Sequence, residues 1–303
     1  MKKILSFTIF LLIIYIILSN SSYIIENIRF SFNICINNLF PALIPFMILS
    51  NILIKYNFIN DISEILSIIM TKVFKVSKYC GYALIMSMIS GTPSNSKYLK
   101  DLLDNNTINI NDVKKCLNFI HFNNPIFILG TIGYTFLNNK RFGLIILISH
   151  YLSALIIGLF NKNNNYYNEI NTNNKKQNFI KILKNSITDT IDTLLLILGI
   201  VTTCIIFTTL IDSIIHINNN YKFIYGILEI TQGLKYLSMS NISINLKVII
   251  SSMIISFGGV CIHAQVFLIL DNKKIRYIPY LLSRLIHAIL SAILSYILIN
   301  LFH

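Results

Sequence analysis

The sequence predicts an all-α polytopic membrane protein, with about seven transmembrane helices and two re-entrant hairpins arranged as an inverted repeat. Three observations carry this reading. Hydrophobic residues make up 54% of the chain and charged residues 12%, about half the charged share of an ordinary globular protein. Long apolar runs, such as 194–210 and 285–301, are of the length a bilayer-spanning helix requires. Finally, the 25 Lys and Arg outnumber the 12 Asp and Glu and gather between the runs, as cytoplasmic loops do. This composition excludes a soluble enzyme, a disulfide-built secreted module and a conventional nucleic-acid binder. The five cysteines are scattered singly without C-x-x-C or Cys/His spacing, so they are expected as small buried side chains.

In chain order, Lys2-Lys3 followed by the apolar run 4–18 has the form of a secretory signal. Ser19-Asn20-Ser21-Ser22 offers no A-x-A-like cleavage site, and further spans follow. Residues 1–33 are therefore expected as a signal-anchor helix and an outside loop. Apolar windows give full spans at 4–24, 34–54, 117–137, 142–160, 189–211, 246–270 and 278–301. Two shorter apolar pieces, 79–89 and 223–230, run into polar residues. Neither crosses a core of about 30 Å as one clean helix, so both are expected as re-entrant hairpins buried in protein. Residues 161–188 form a linker: 161–177 is rich in Asn, Tyr and Lys without apolar periodicity, and 179–187 has the pattern of an interfacial amphipathic helix.

With the N-terminus inside and each hairpin returning to its side of entry, eighteen of the 25 cationic residues fall inside and six outside, with Arg284 in a span. The positive-inside rule favours that orientation. The same arrangement makes 34–160 and 189–303 two repeats of one order, span–hairpin–span–span, in opposite orientations. That is the plan of many secondary transporters.

Polar clusters at membrane depth are costly, which makes each a functional candidate. Ser90, Gly91, Thr92, Pro93, Ser94 and Asn95 join a flexible Gly, a helix-starting Pro and a helix N-terminus able to bind an anion through its free N–H groups. The alternative is an ordinary capped turn at the membrane surface. Asn123 and Asn124 precede Pro125 within an apolar run, which fits a discontinuous helix or else a loop before a span beginning at Pro125. Gly258 and Gly259 take the matching place in the second half. Glu229, Thr231 and Gly233 put a carboxylate in the second hairpin, suited to carry a coupling proton or help bind sodium if buried, and simply solvated if the hairpin is shallow. His263 and Gln265 either line the same cavity or pack. Arg284 either attracts an anion or snorkels to the interface. Asp189 and Asp192 are expected as N-terminal helix charges. There is no H-E-x-x-H, G-x-S-x-G or Walker loop and no clustered metal-ligand set, so neither an enzyme nor a cofactor or metal is expected.

Three first-half strings carry a resemblance. They are Asn38-Leu39-Phe40-Pro41-Ala42-Leu43-Ile44-Pro45-Phe46, Ser90-Gly91-Thr92-Pro93-Ser94-Asn95-Ser96-Lys97-Tyr98 and His121-Phe122-Asn123-Asn124-Pro125-Ile126-Phe127-Ile128-Leu129-Gly130. Together with Glu229-Ile230-Thr231-Gln232-Gly233 and the 256–266 string, they resemble the YlbJ-type sporulation integral membrane proteins, which carry nucleoside-recognition gate domains. Asn123 stands where that family is expected to have a smaller Ser. The resemblance implies transport of dipicolinic acid (pyridine-2,6-dicarboxylate) across the outer forespore membrane, with Phe40 or Phe122 against the ring. The implied partners are this anion, the lipid bilayer and a coupling proton or sodium ion, with no nucleic acid. The alternatives are a nucleoside or ion permease and a non-transporting sporulation scaffold.

Overall fold

A computed structural model describes residues 7, 11, 14–55, 59–160, 178–271 and 274–301. Residues 4–6, 8–10 and 12–13 of the first expected span, 4–24, and the whole 161–177 linker lie outside the described residues. The chain is all-helical, with no strand among the described residues. Its helices are α1 (Ser21–Ile34), α2 (Phe40–Lys55), α3 (Ile59–Ile65), α4 (Cys80–Ser90), α5 (Ser94–Asp104) and α6 (Ile110–Phe119), followed by α7 (Lys140–Leu159), α8 (Phe179–Ile215), α9 (Ile230–Met239), α10 (Ile244–Phe257), α11 (Gly259–Leu270) and α12 (Tyr277–Leu301). Four segments are long and apolar enough to cross a membrane: Lys140–Leu159, Phe179–Ile215, Ile244–Leu270 and Tyr277–Leu301. A fifth is reached if Ser21–Leu39 and Leu43–Ile54, bent by 54°, make one span.

Several expected boundaries shift, each for a local reason. Residues 25–33, expected as an outside loop, are helical in α1 and bury Ser31. The chain then widens through a π-helical turn at Cys35–Leu39. Pro41 and Pro45 lack the amides an α-helix needs there, so the bend falls at this point. The 117–137 segment is not one helix. α6 stops at Phe119, 120–124 run without helix, and a new helix starts at Pro125 and becomes π-helical over Phe127–Phe136. The 246–270 span bends open at Gly258 and Gly259, both with positive φ. The 179–187 piece is continuous with the following span, giving the 37 residues of α8 and a length of about 55 Å at 1.5 Å per residue. Asp189 and Asp192 thus lie well inside α8 and do not start it.

The exterior is apolar. Leu144, Ile148, Leu152 and Leu159 on α7, and Leu285, Ile286, Ile289, Ile293 and Ile297 on α12, all face outward, as lipid-contacting surfaces do. The polar residues turn inward. Small residues let the helices approach: Gly133 and Gly143 bring the π-helix against α7, and Ser252 and Ser295 on α10 and α12 join hydroxyls at 3.0 Å. Such interfaces are typical of helices packed in a bilayer. Three apolar clusters fill the interior: one around α4–α6, one around the π-helix, α9 and α10, and one around α2 and α8. All five cysteines are free, and Cys204 alone is not fully buried.

Both hairpins form. The first is α4, a tip at Gly91-Thr92-Pro93, and α5. The second is shorter, a 3₁₀ helix at Asn219–Ile227 returning as α9. Its legs touch at Gly226 and Gly233, where a Cβ on Gly233 would lie 2.2 Å from the Gly226 Cα. Gly233→Leu should therefore lower the detergent Tm by many degrees or prevent accumulation. Gly199→Ala, where an added Cβ meets nothing within 4 Å, should leave it unchanged or raise it slightly.

Candidate functional site

Each hairpin tip is docked on a helix break. In the first half, the α4–α5 tip meets 120–124. The Thr92 amide donates to the Phe122 carbonyl at 2.7 Å, and Asn95 Nδ2 donates to the Ile120 carbonyl at 2.6 Å. A Cβ on Gly91, with φ of 84°, would lie 2.4 Å from the Asn124 amide nitrogen, so only glycine permits this approach. Asn124 works at two helix ends. Its Nδ2 reaches the Ser90 and Ile89 carbonyls at the end of α4, 3.2 and 3.4 Å away. Its Oδ1 accepts from the amides of Ile126 and Phe127 at 2.8 and 3.3 Å, capping the helix that follows.

Asn123 ties the two halves together. Its Nδ2 donates to the Ile255 carbonyl of α10 at 3.0 Å, its Oδ1 accepts from the Thr92 hydroxyl at 3.3 Å, and its amide donates to His150 Nε2 at 3.0 Å. In the second half the Cys261 amide donates to the Leu228 carbonyl at 2.9 Å, so the second tip rests on the break at Gly258 and Gly259. Glu229 is 4% exposed, so the hairpin is not shallow there. Its Oε2 accepts from the Thr231 hydroxyl at 2.5 Å and the Gln232 amide at 2.7 Å, capping α9. The Gln232 side chain in turn accepts from the Thr208 hydroxyl of α8.

These parts enclose one cavity of about 50 Å³, room for a few waters and below the roughly 300 Å³ at which small-molecule pockets begin. Of the residues expected at the site, it gathers Thr92, Pro93, Asn123, Asn124, Glu229, Thr231 and Gln265. The others act one step away. Ser90 donates to the Met86 carbonyl and accepts from the Tyr98 hydroxyl. Gly91, Gly233 and Gly259 allow close backbone contact, Gly258 lies against the His121 ring, and Ser94 and Asn95 are buried beneath the tip. His263 faces Phe257 and Tyr277. Phe122 packs on Tyr151 at 4.8 Å and does not line the cavity, nor does Phe40. Phe127 does, with Leu39, Leu43, Ile197 and Val201. Sequence reasoning missed these because their spacing is that of ordinary apolar helix faces.

Arg284 neither snorkels nor lines the cavity. It is fully buried, and its guanidinium donates to the Leu117 and Asn118 carbonyls, which α6 leaves without helical partners where it breaks. Among the described residues no group of three or more His, Cys, Asp or Glu side chains is placed so that it could hold a metal ion.

Among curated proteins, the sporulation integral membrane protein YlbJ of Bacillus subtilis (strain 168) is 27% identical over 295 residues, covering 84% of this chain and 72% of that protein. The chain is thus similar to a YlbJ-type protein over most of its length. It is accordingly a multi-pass integral membrane protein. No family model matches it, and no solved structure does. The match to YlbJ spans most of the chain, in keeping with strings in both halves that resemble the YlbJ type.

Asn124→Ala would strand two carbonyls and two amides in a dry interior. At about 1–3 kcal/mol per orphaned buried group, the expected loss is at least about 2 kcal/mol, read as an earlier unfolding midpoint in SDS titration. Asn124→Asp, which keeps the acceptor and loses the donor, should fall between that variant and the parent.

Proposed function

We propose that the chain is a membrane carrier for dipicolinate in sporulation, working by alternating access between inverted repeats at 34–160 and 189–303. Seven spans and two hairpins, an N-terminus in the cytoplasm and residence in the outer forespore membrane belong to this reading. The observation that carries it is the cavity lined by both hairpin tips, by the first helix break at Asn123 and Asn124, and by Cys261, Ile262 and Gln265 of the helix that follows the second break. The two halves also follow one order: hairpin, broken helix, closing helix. In such a plan the substrate binds where the repeats meet, between half-helix ends.

The chemistry of the lining suits a planar dicarboxylate. Thr92, Thr231, Asn123, Asn124 and Gln265 offer hydroxyl and amide donors, and helix N-termini at Ser94, Pro125, Ile230 and Gly259 favour negative charge. Leu39, Leu43, Phe127 and Val201 supply an apolar wall for a ring. The cavity's small volume makes this arrangement an occluded one, so loading requires the tips to part from the breaks. A dianion beside the Glu229 carboxylate needs a compensating cation. This is why coupling to a proton or sodium ion is part of the proposal.

Reconstituted protein should take up labelled dipicolinate, and an imposed proton or sodium gradient should drive it. Thr92→Val and Thr231→Val each remove one donor to a charged ligand, worth about 1.5–3 kcal/mol. Uptake at low substrate should fall roughly tenfold or more with each, in protein that still folds and inserts, with thermal stability measured alongside because each hydroxyl also bonds a buried acceptor. Uptake of nucleosides or inorganic ions in place of dipicolinate would turn the assignment to a permease. Normal spore dipicolinate in strains carrying these variants would leave a non-transporting scaffold.

A further inference from the structure

Four of the six histidines, His121, His150, His263 and His287, come from four different elements into one buried cluster with Tyr280 and Arg284. Ring centroids lie 4.8 Å apart for His150 and His287, 6.0 Å for His121 and His287, and 5.1 Å for His263 and Tyr280. Three of these rings have both nitrogens engaged. His150 Nε2 accepts from the Asn123 amide, so its Nδ1–H is directed to Ser256 Oγ at 2.8 Å. His287 donates from Nε2 to the His150 carbonyl at 2.9 Å and turns Nδ1 to the Arg284 guanidinium at 3.1 Å. His263 donates from Nε2 to the Phe257 carbonyl at 2.8 Å and accepts the Tyr277 hydroxyl at 3.0 Å. A second proton on any of them breaks a bond already made, and their lone pairs are not free for a metal.

His121 differs. Its Nδ1 lies 3.5 Å from the Tyr280 hydroxyl, and its fully buried Nε2 has no partner among the described residues. That nitrogen abuts Gly258, where a Cβ would sit 2.9 Å away. It is thus two residues from Asn123 in one break and pressed against the other. On the far side, Tyr280 borders a second cavity of about 580 Å³ lined by Lys114, Lys115, Asn118, Lys274 and Arg276.

We propose that His121 is the proton-binding residue of the carrier, loaded from this basic cavity through the Tyr280 hydroxyl. The inference rests on the transport reading above and names the coupling ion within it. In the step, Tyr280 O–H gives its proton to Nδ1 of a neutral ring carrying hydrogen on Nε2, and a hydronium ion reaching the basic cavity reprotonates the phenolate oxygen and leaves as water. The ring then holds hydrogen on both nitrogens, and the Arg284 guanidinium, 5.4 Å from the Tyr280 ring centre, stabilises the passing phenolate. The groups facing His121 are His150 from α7, His263 from α11, and Tyr280, Arg284 and His287 from α12. None of them is a carboxylate, so an anion reaching Asn123 supplies a countercharge that an imidazolium at His121 otherwise lacks. Anion and proton therefore favour each other's binding, and linkage makes the effect reciprocal.

The test is ¹⁵N-histidine NMR of the full-length protein in nanodiscs, titrated between about pH 5 and 8. His150 should stay neutral as the Nδ1–H tautomer, and His263 and His287 as Nε2–H, while one further buried ring titrates. Its signal should vanish in His121→Gln, and its exchange with bulk protons should slow at least tenfold in Tyr280→Phe, which removes only a hydroxyl. Dipicolinate should raise its proton affinity at least tenfold. Titration of a different buried ring, or of none, overturns the proposal, as does dipicolinate binding that leaves the His121 midpoint unmoved. If His121 titrates as described and the protein binds no dipicolinate, the proton site stands and the choice of substrate falls.

Discussion

The arrangement depends on one constraint: backbone that leaves the helical path at membrane depth must find its hydrogen bonds inside the protein. The break at 120–124 shows how this is met. The Thr92 amide, the side chains of Asn95 and Asn124, the imidazole of His150 and the guanidinium of Arg284 each take one stranded backbone group. These partners come from different elements. The break therefore holds α4, α5, α7 and α12 in register, and none of them can move far without exposing a polar group to hydrocarbon.

The same economy explains why the polar residues are both structural and candidate binders. Thr92 and Asn123 bond each other and also line the cavity. Glu229 caps α9 through one oxygen while its side chain borders the same space. The apolar clusters include residues of both hairpins, Tyr82, Leu84, Tyr98 and Leu99 in one and Ile230, Leu234 and Leu237 in the other, so each hairpin is also packed into the hydrophobic interior.

Charge is disposed in the same spirit. Arg284 is fully buried, yet its guanidinium lies against carbonyls at the end of α6, where the helix dipole is negative. Histidines surround it, and three of them, His150, His263 and His287, engage both ring nitrogens. The lysines and Arg276 stand back at the mouth of the larger cavity. The result is a graded approach, from exposed cations, through a buried guanidinium, to uncharged donors at the cavity between the tips.

The sequence alone determined that the chain is helical and lives in a membrane, because hydropathy and charge scarcity leave no other solvent for it. It also determined where the helices break. Gly91, Asn123-Asn124-Pro125 and Gly258-Gly259 are local signals, acting through positive φ, a missing amide and competing side-chain bonds, and all fall at real breaks. Burial of Glu229 was legible as one of two options. What only tertiary structure decided is who partners whom. Nothing in the 3.6-residue period distinguishes Phe127, which lines the cavity, from Phe122, which packs on Tyr151. Four histidines spread over 167 positions carry no mutual signal in sequence, and they form one cluster because four helices converge there. Helix continuity was likewise decided by packing. α8 runs through the expected interfacial boundary, and α1 continues into the expected loop, since neighbouring helices bury the residues on which local hydropathy is ambiguous.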